Sequence, residues 1–208
     1  MIRAIAWDFD GVLNRCVEDG RFIWAEHFER DTGQSLAGFQ RAVFAEGFRE
    51  VIEGRRDLVE PVAAWCAEVG HAPGAEALID YWFARDDTPD AEMQALVARL
   101  KAEGVPQVIA TNNEARRARY IRAQTGWMAQ VDAVLCSGEL GVSKPSPAFF
   151  EAVSAALAVP PRECLFVDDT RANVEAARAL GWQAFHFTPE TRDALPGMLA
   201  GRGTAQGG

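Results

Sequence analysis

Residues 2–14, IRAIAWDFDGVLN, constrain this chain more than any other stretch. An apolar run over residues 2–7 stops at Asp8 and Asp10, and Gly11 follows at once. A short apolar run closed by turn residues predicts a buried strand that delivers two carboxylates to the loop at its C-terminal end. In an open α/β sheet that edge is where ligands bind. Asp and Gly are also ordinary turn residues, so DFDG alone is equally the sequence of a cap or a simple turn. The rest of the chain decides between the two.

From Pro89 onward helix and strand signals alternate. Helices are expected at 91–103, 114–125, from 147 or 148 to 157, at 171–180 and near 189–199, with strands at 106–110, 133–136, 164–167 and 183–187. Residues 137–147, SGELGVSKPSP, read as a long loop carrying Lys144. Strands separated by helices of this length imply a doubly wound parallel sheet with helices on both faces. Residues 15–86 have no clear strand pattern but several amphipathic segments in a row, at 22–32, 36–44, 48–53, 58–69 and 75–83. Gly33 and Gly54 are expected to end two of these helices, and Asp57 with Glu60 to form a capping box opening the next. Trp24, His27, Trp65, His71 and Trp82 are read as packing or surface residues, and Arg55 and Arg56 as a solvated turn. The tail 201–208, GRGTAQGG, is expected to be disordered.

A length of 208 residues is enough for one domain, or for a main domain carrying a smaller one. No apolar run approaches the ~20 residues of a membrane span. The N-terminus carries no targeting pattern, and a cytoplasmic location is expected. Cys16, Cys66, Cys136 and Cys164 form no CxxC pair and are expected to be reduced. A net charge of −9 argues against nucleic acid as a partner, which needs a basic face. Among the 21 basic residues only Lys101 and Lys144 are lysines.

The polar residues that break the strand pattern share one location. Asp8, Thr111, Asp168 and Asp169 all follow the C-terminal ends of expected strands, so a parallel sheet would set them along one edge. Asp10 joins them, and two like charges 4 Å apart repel by about 4 kcal/mol at an effective dielectric of ~20. Such a cluster demands a cation or protonation. Oxygen donors with no Cys or His beside them suit Mg²⁺ rather than zinc. Lys144 would add a fixed positive charge, and Thr111 with neighbouring N–H groups would add donors. Cation, ammonium and donors converging on a carboxylate describe a site for phosphoryl transfer.

The order DFDGVLN, ATNN, GVSKPSP and FVDDTRAN resembles the four signature motifs of the haloacid dehalogenase superfamily, and the helical insert resembles the cap of its subfamily I phosphatases. The resemblance covers all but the tail. It implies a Rossmann-like catalytic core of residues 1–14 and 87–200 with an inserted all-helical cap of residues 15–86. It further implies Asp8 as nucleophile, Asp10 as general acid and base, and Lys144 steadying both phosphate and nucleophile. Thr111 and Asn112 would bind the phosphate with Lys144. Mg²⁺ would be held by Asp8, Asp169 and Asp10, the last through its backbone carbonyl. Asp168 is either a further ligand or a partner of Lys144. Many relatives have a second acid where this chain has Asn173, which is read as supporting the ligands from behind. The function so implied is a Mg²⁺-dependent phosphatase of a small phosphorylated metabolite, working through an aspartyl phosphate.

Alternatives within the superfamily are a sugar phosphomutase and a non-catalytic phosphate-binding member. A receiver domain gathers similar residues, but in it the lysine comes last, whereas here Lys144 precedes Asp168. Dehalogenases of the superfamily lack an acid at the position of Asp10. Phosphonatases use a lysine from the cap, and residues 15–86 contain none.

Overall fold

Ala4–Trp7 (β1) is buried at all four positions because it is the central strand of a five-stranded parallel sheet. The structure, a computed structural model, describes residues 1–18, 21–44 and 47–200; the tail expected to be disordered lies outside them. The insert opens with an antiparallel ribbon, Val17–Glu18 (β2) and Arg21–Phe22 (β3). It continues through α1 (Phe28–Thr32), α2 (Leu36–Val43), α3 (Phe48–Ile52), α4 (Val59–Val69) and α5 (Gly74–Arg85). The core resumes with α6 (Ala91–Ala102), β4 (Gln107–Thr111), α7 (Ala115–Gln124) and β5 (Ala133–Cys136). It closes with α8 (Ser137–Leu140), α9 (Pro147–Leu157), β6 (Cys164–Asp168), α10 (Arg171–Ala179), β7 (Gln183–His186) and α11 (Leu195–Ala200). The strand order is β5-β4-β1-β6-β7.

Both faces of β1 are covered, which is why its sequence is continuously apolar rather than alternating. Ile5 and Trp7 join one hydrophobic cluster with Val97, Leu100 and Ile121. Ala4 and Ala6 face the other way, where their small size admits Phe149, Phe150 and Phe166. Full burial of side chains as large as these contributes roughly 1.5–3 kcal/mol each. The insert has its own cluster, built on Trp24, Phe28, Phe39, Trp65 and Phe83. Trp24 stacks edge-on against both Phe28 and Phe39.

Four local expectations change, the first being that the helix expected near 189–199 begins only at Leu195, after a 3₁₀ turn over Arg192–Ala194. The helix expected at 22–32 is split into a 3₁₀ turn, Ile23–Ala25, and α1, because Arg21 and Phe22 are paired in the ribbon. The 137–147 loop contains the single-turn helix α8. Asp57 does cap the start of α4, accepting from the Val59 N–H at 2.9 Å, but Glu60 pairs with Arg56 instead of completing the box. Gly33 ends α1 in the left-handed region as expected. The four cysteines are free. Among the described residues no helix is long and apolar enough to cross a membrane.

Candidate active site

Strand register assembles the site. β1 is flanked by β4 and β6, and the Asp8 N–H continues the ladder onto the Val167 carbonyl at 2.8 Å. Asp8, Thr111 and Asp168 therefore end three adjacent strands at one edge, the position where an open sheet binds ligands. Oxygens of Asp8, Asp168 and Asp169 lie within 4.8 Å of one another. Gly11 (φ +85°) turns the first loop across them, and a Cβ there would fall 2.2 Å from Asp169 Oδ2.

Lys144 arrives from the loop after α8 and donates to Asp8 Oδ1 at 2.8 Å and Asp168 Oδ2 at 2.7 Å. Its side chain is 1% exposed. Burial pulls the Lys144 pKa down, but the two carboxylates outweigh it and the net shift is upward. The Asp8 carboxyl is pushed well above its ordinary range by burial, then by Asp168, against the pull of Lys144. Asp169 is also raised, by burial and then by Asp168. One ammonium thus faces three carboxyl groups, and full ionisation of the cluster would leave two negative charges uncompensated. A divalent cation with a preference for oxygen fits that donor set, as the absence of sulfur and imidazole from it also indicates.

Asp168 is more committed than its neighbours. It accepts from Lys144, from the Thr170 N–H at 2.8 Å and from Asn173 Nδ2 at 3.1 and 3.2 Å. Asn173 thus backs Asp168 alone of the acidic pair. The Asp10 carboxylate stands apart from the three-carboxylate cluster. Asn14 Nδ2 donates to its Oδ1 at 3.0 Å and Asn113 Nδ2 to its Oδ2 at 2.8 Å. Asn113 also donates to the buried Thr111 hydroxyl at 2.8 Å, joining the first two motifs. Asn112, expected at the phosphate, points elsewhere. Its amide donates to the Lys144 carbonyl at 2.9 Å and accepts from the Lys144 N–H at 2.8 Å, so its side chain clamps the lysine loop.

Behind Asp10 lies the junction where the chain returns from the helical insert to the sheet, which the sequence reading passed over. Asn14 also donates to the Asp86 carbonyl at 2.7 Å and accepts from the Thr88 N–H at 2.8 Å. Arg117, buried against the rings of Phe83 and Tyr120, donates to the Phe83 carbonyl and to Asp86 Oδ2 and lies 4.0 Å from Asp10 Oδ1. Asp86 Oδ1 has no partner, and burial, then the Asp10 charge, raise that carboxyl to about 8 despite Arg117. A carboxyl raised on folding holds its proton longer in the native state, so stability falls as pH rises from about 4 to about 8. Asp86→Asn is expected to melt like the wild type near pH 4 and several degrees higher at pH 8. A melting difference independent of pH would contradict this.

A buried ammonium bridging two carboxylates, an acidic cluster and a separate acid held by two amides define a hydrolase site at the edge of a capped α/β sheet. The family model for haloacid dehalogenase-like hydrolases matches residues 2–181. The chain belongs to that family. It is 30% identical over 220 residues to the phosphatase MT3486 of Mycobacterium tuberculosis, covering 97% of this chain and 95% of that protein. A family enzyme from Bacteroides thetaiotaomicron, solved with magnesium and inorganic phosphate, superposes with a TM-score of 0.72 at 18% identity over 90% of this chain and 95% of that one. The L-2-haloacid dehalogenase of Xanthobacter autotrophicus superposes with a TM-score of 0.67 at 23% identity, covering 98% and 84%. The fold alone is therefore shared with both a magnesium- and phosphate-bound family enzyme and a haloacid dehalogenase.

Proposed function

We propose that the protein is a Mg²⁺-dependent phosphatase of a small phosphate ester, with residues 15–86 acting as a cap over a core of residues 1–14 and 87–200. The observation that carries this is the placement of Asp10: a second acid, two residues beyond Asp8, held by Asn14 and Asn113 beside the nucleophile but outside the acidic cluster. A dehalogenase has no use for such an acid, because a halide leaves without a proton. The relation to a mycobacterial phosphatase over nearly the full chain points the same way.

In this reading Asp8 attacks phosphorus, the bond to the leaving alcohol oxygen breaks, and phosphate is carried as an acyl phosphate on Asp8. Asp10 gives its proton to the departing alkoxide. It then takes one from the water that attacks the phosphorus, which returns Asp8 as a carboxylate and Asp10 as an acid. Lys144 favours the ionised form of Asp8 against burial and Asp168 and meets the phosphate oxygens, while Thr111 and the backbone N–H of Asn112 bind them. Asp8, Asp169 and the Asp10 carbonyl would hold Mg²⁺, which would supply the charge neutralisation that a dianion needs to approach a carboxylate. Asp168 serves Lys144, since its own oxygens are already occupied by donors. The insert excludes bulk water during the reaction.

An aryl phosphate assay tests the reading. Phosphate release is expected to vanish in EDTA and return with Mg²⁺. Full activity after exhaustive chelation would remove the metal from the mechanism, and halide release from a 2-haloacid with no phosphate release would replace the reaction.

A further inference from the structure

Glu53 is a carboxylate buried to 7% exposure at the end of α3, in a position that packing alone would give to an apolar residue. Burying a charge is costly unless its hydrogen bonds are met, and here three donors meet them. Arg49 Nε at 3.0 Å and Arg55 Nη1 at 2.5 Å belong to the cap itself. The third, the Ser143 hydroxyl at 2.7 Å, belongs to the core and is the neighbour of Lys144. With Ser143 contributing most, these donors hold the Glu53 carboxyl down at about 2, so it accepts from Ser143 at any working pH.

The next residue makes a second contact with the same segment. Gly54 (φ +69°) lies against α8 so closely that a Cβ would sit 2.0 Å from the Gly138 carbonyl oxygen. Two consecutive cap residues thus touch both ends of residues 138–143, the stretch that leads into Lys144. On its other side Lys144 is clamped by Asn112. A cavity of about 380 Å³ opens between Phe48 and Ile52 of the cap and Asn112 and Pro145 of the core, directly beside this junction.

We propose that Glu53 is a positioning residue for Lys144: through the Ser143 hydroxyl it makes full placement of the ammonium depend on the cap being seated. Asn112 sets the lysine loop from within the core, and Glu53 adds the part of the restraint that an open cap would withdraw. The consequence for rate rests on the phosphatase reading; the consequence for the position of Lys144 does not.

The chain has two lysines, so ¹³C-lysine labelling gives two ε-methylene signals. Lys101, paired with Asp132 at the opposite edge of the sheet, serves as the control for folding. In Ser143→Ala and in Glu53→Ala the Lys144 signal is expected to shift or broaden while that of Lys101 stays in place. With an aryl phosphate, kcat is expected to fall about tenfold in each single variant with KM within about twofold, and the double variant to show the same total loss of about tenfold, because both changes break one connection. If Glu53→Ala also moves the Lys101 signal, Ser143→Ala, which removes a single oxygen, decides alone. A Lys144 signal like that of the wild type, or losses that multiply, would overturn the proposal. A wild type that hydrolyses no phosphate ester would defeat the functional reading and leave the spectroscopic result standing.

Discussion

Asp8→Asn is expected to abolish phosphate release, by at least about 10³-fold, because in the proposed reaction a neutral amide is too weak a nucleophile to attack phosphorus. The loss is expected without a loss of fold. Asp8 is a buried carboxyl whose ionisation is opposed by its surroundings, so neutralising it relieves repulsion with Asp168. The amide oxygen can still accept from the Phe9 N–H, which donates to Asp8 Oδ1 at 2.7 Å. Thermal melting without added metal should therefore show a variant at least as stable as the wild type. An inactive but destabilised variant would mean that Asp8 has a structural duty this account does not give it, and substantial residual turnover would favour direct attack by water.

Lys144 carries the second large effect. Lys144→Ala leaves Asp8 and Asp168 facing each other without their shared cation, and breaking a buried ion pair by removing one partner costs about 3–5 kcal/mol. Loss of the same charge from a developing transition state is expected to lower kcat by about 10²–10³-fold. Lys144→Arg keeps the charge but not the shape. A compact ammonium sits between two carboxylates and over the Phe166 ring, 5.4 Å from its centroid, where a planar guanidinium has to displace one of them. Both substitutions are thus expected to be nearly equally inactive, while Lys101→Arg, at a half-exposed surface pair, is silent. Wild-type activity in Lys144→Arg would reduce Lys144 to an ordinary buried charge.

The sheet was legible because its signal is local: apolar runs of strand length ending in Asp or Thr need only a reading of each segment. The gathering of Asp8, Thr111, Asp168 and Lys144 followed, since parallel order puts strand ends on one edge. Which of two consecutive asparagines faces the site was not legible. Asn112 turns to the lysine loop and Asn113 to Asp10 and Thr111, a choice made by backbone direction past the strand end. Arg117 is one of several arginines in ARRARY, and nothing local marks it as the buried one. Glu53 and Ser143 lie 90 residues apart and meet only because α3 packs against the segment after α8. The ribbon at the start of the insert was missed because two-residue strands carry no periodicity.

The most direct test of the account is a single turnover in ¹⁸O water with an acid quench during the reaction. The account predicts label in the released phosphate, none in the Asp8 carboxylate, and phosphate trapped on Asp8. Label in the Asp8 carboxylate, with halide released from a 2-haloacid, would contradict it, because water would then have attacked a carbonyl carbon of an alkyl ester and not phosphorus.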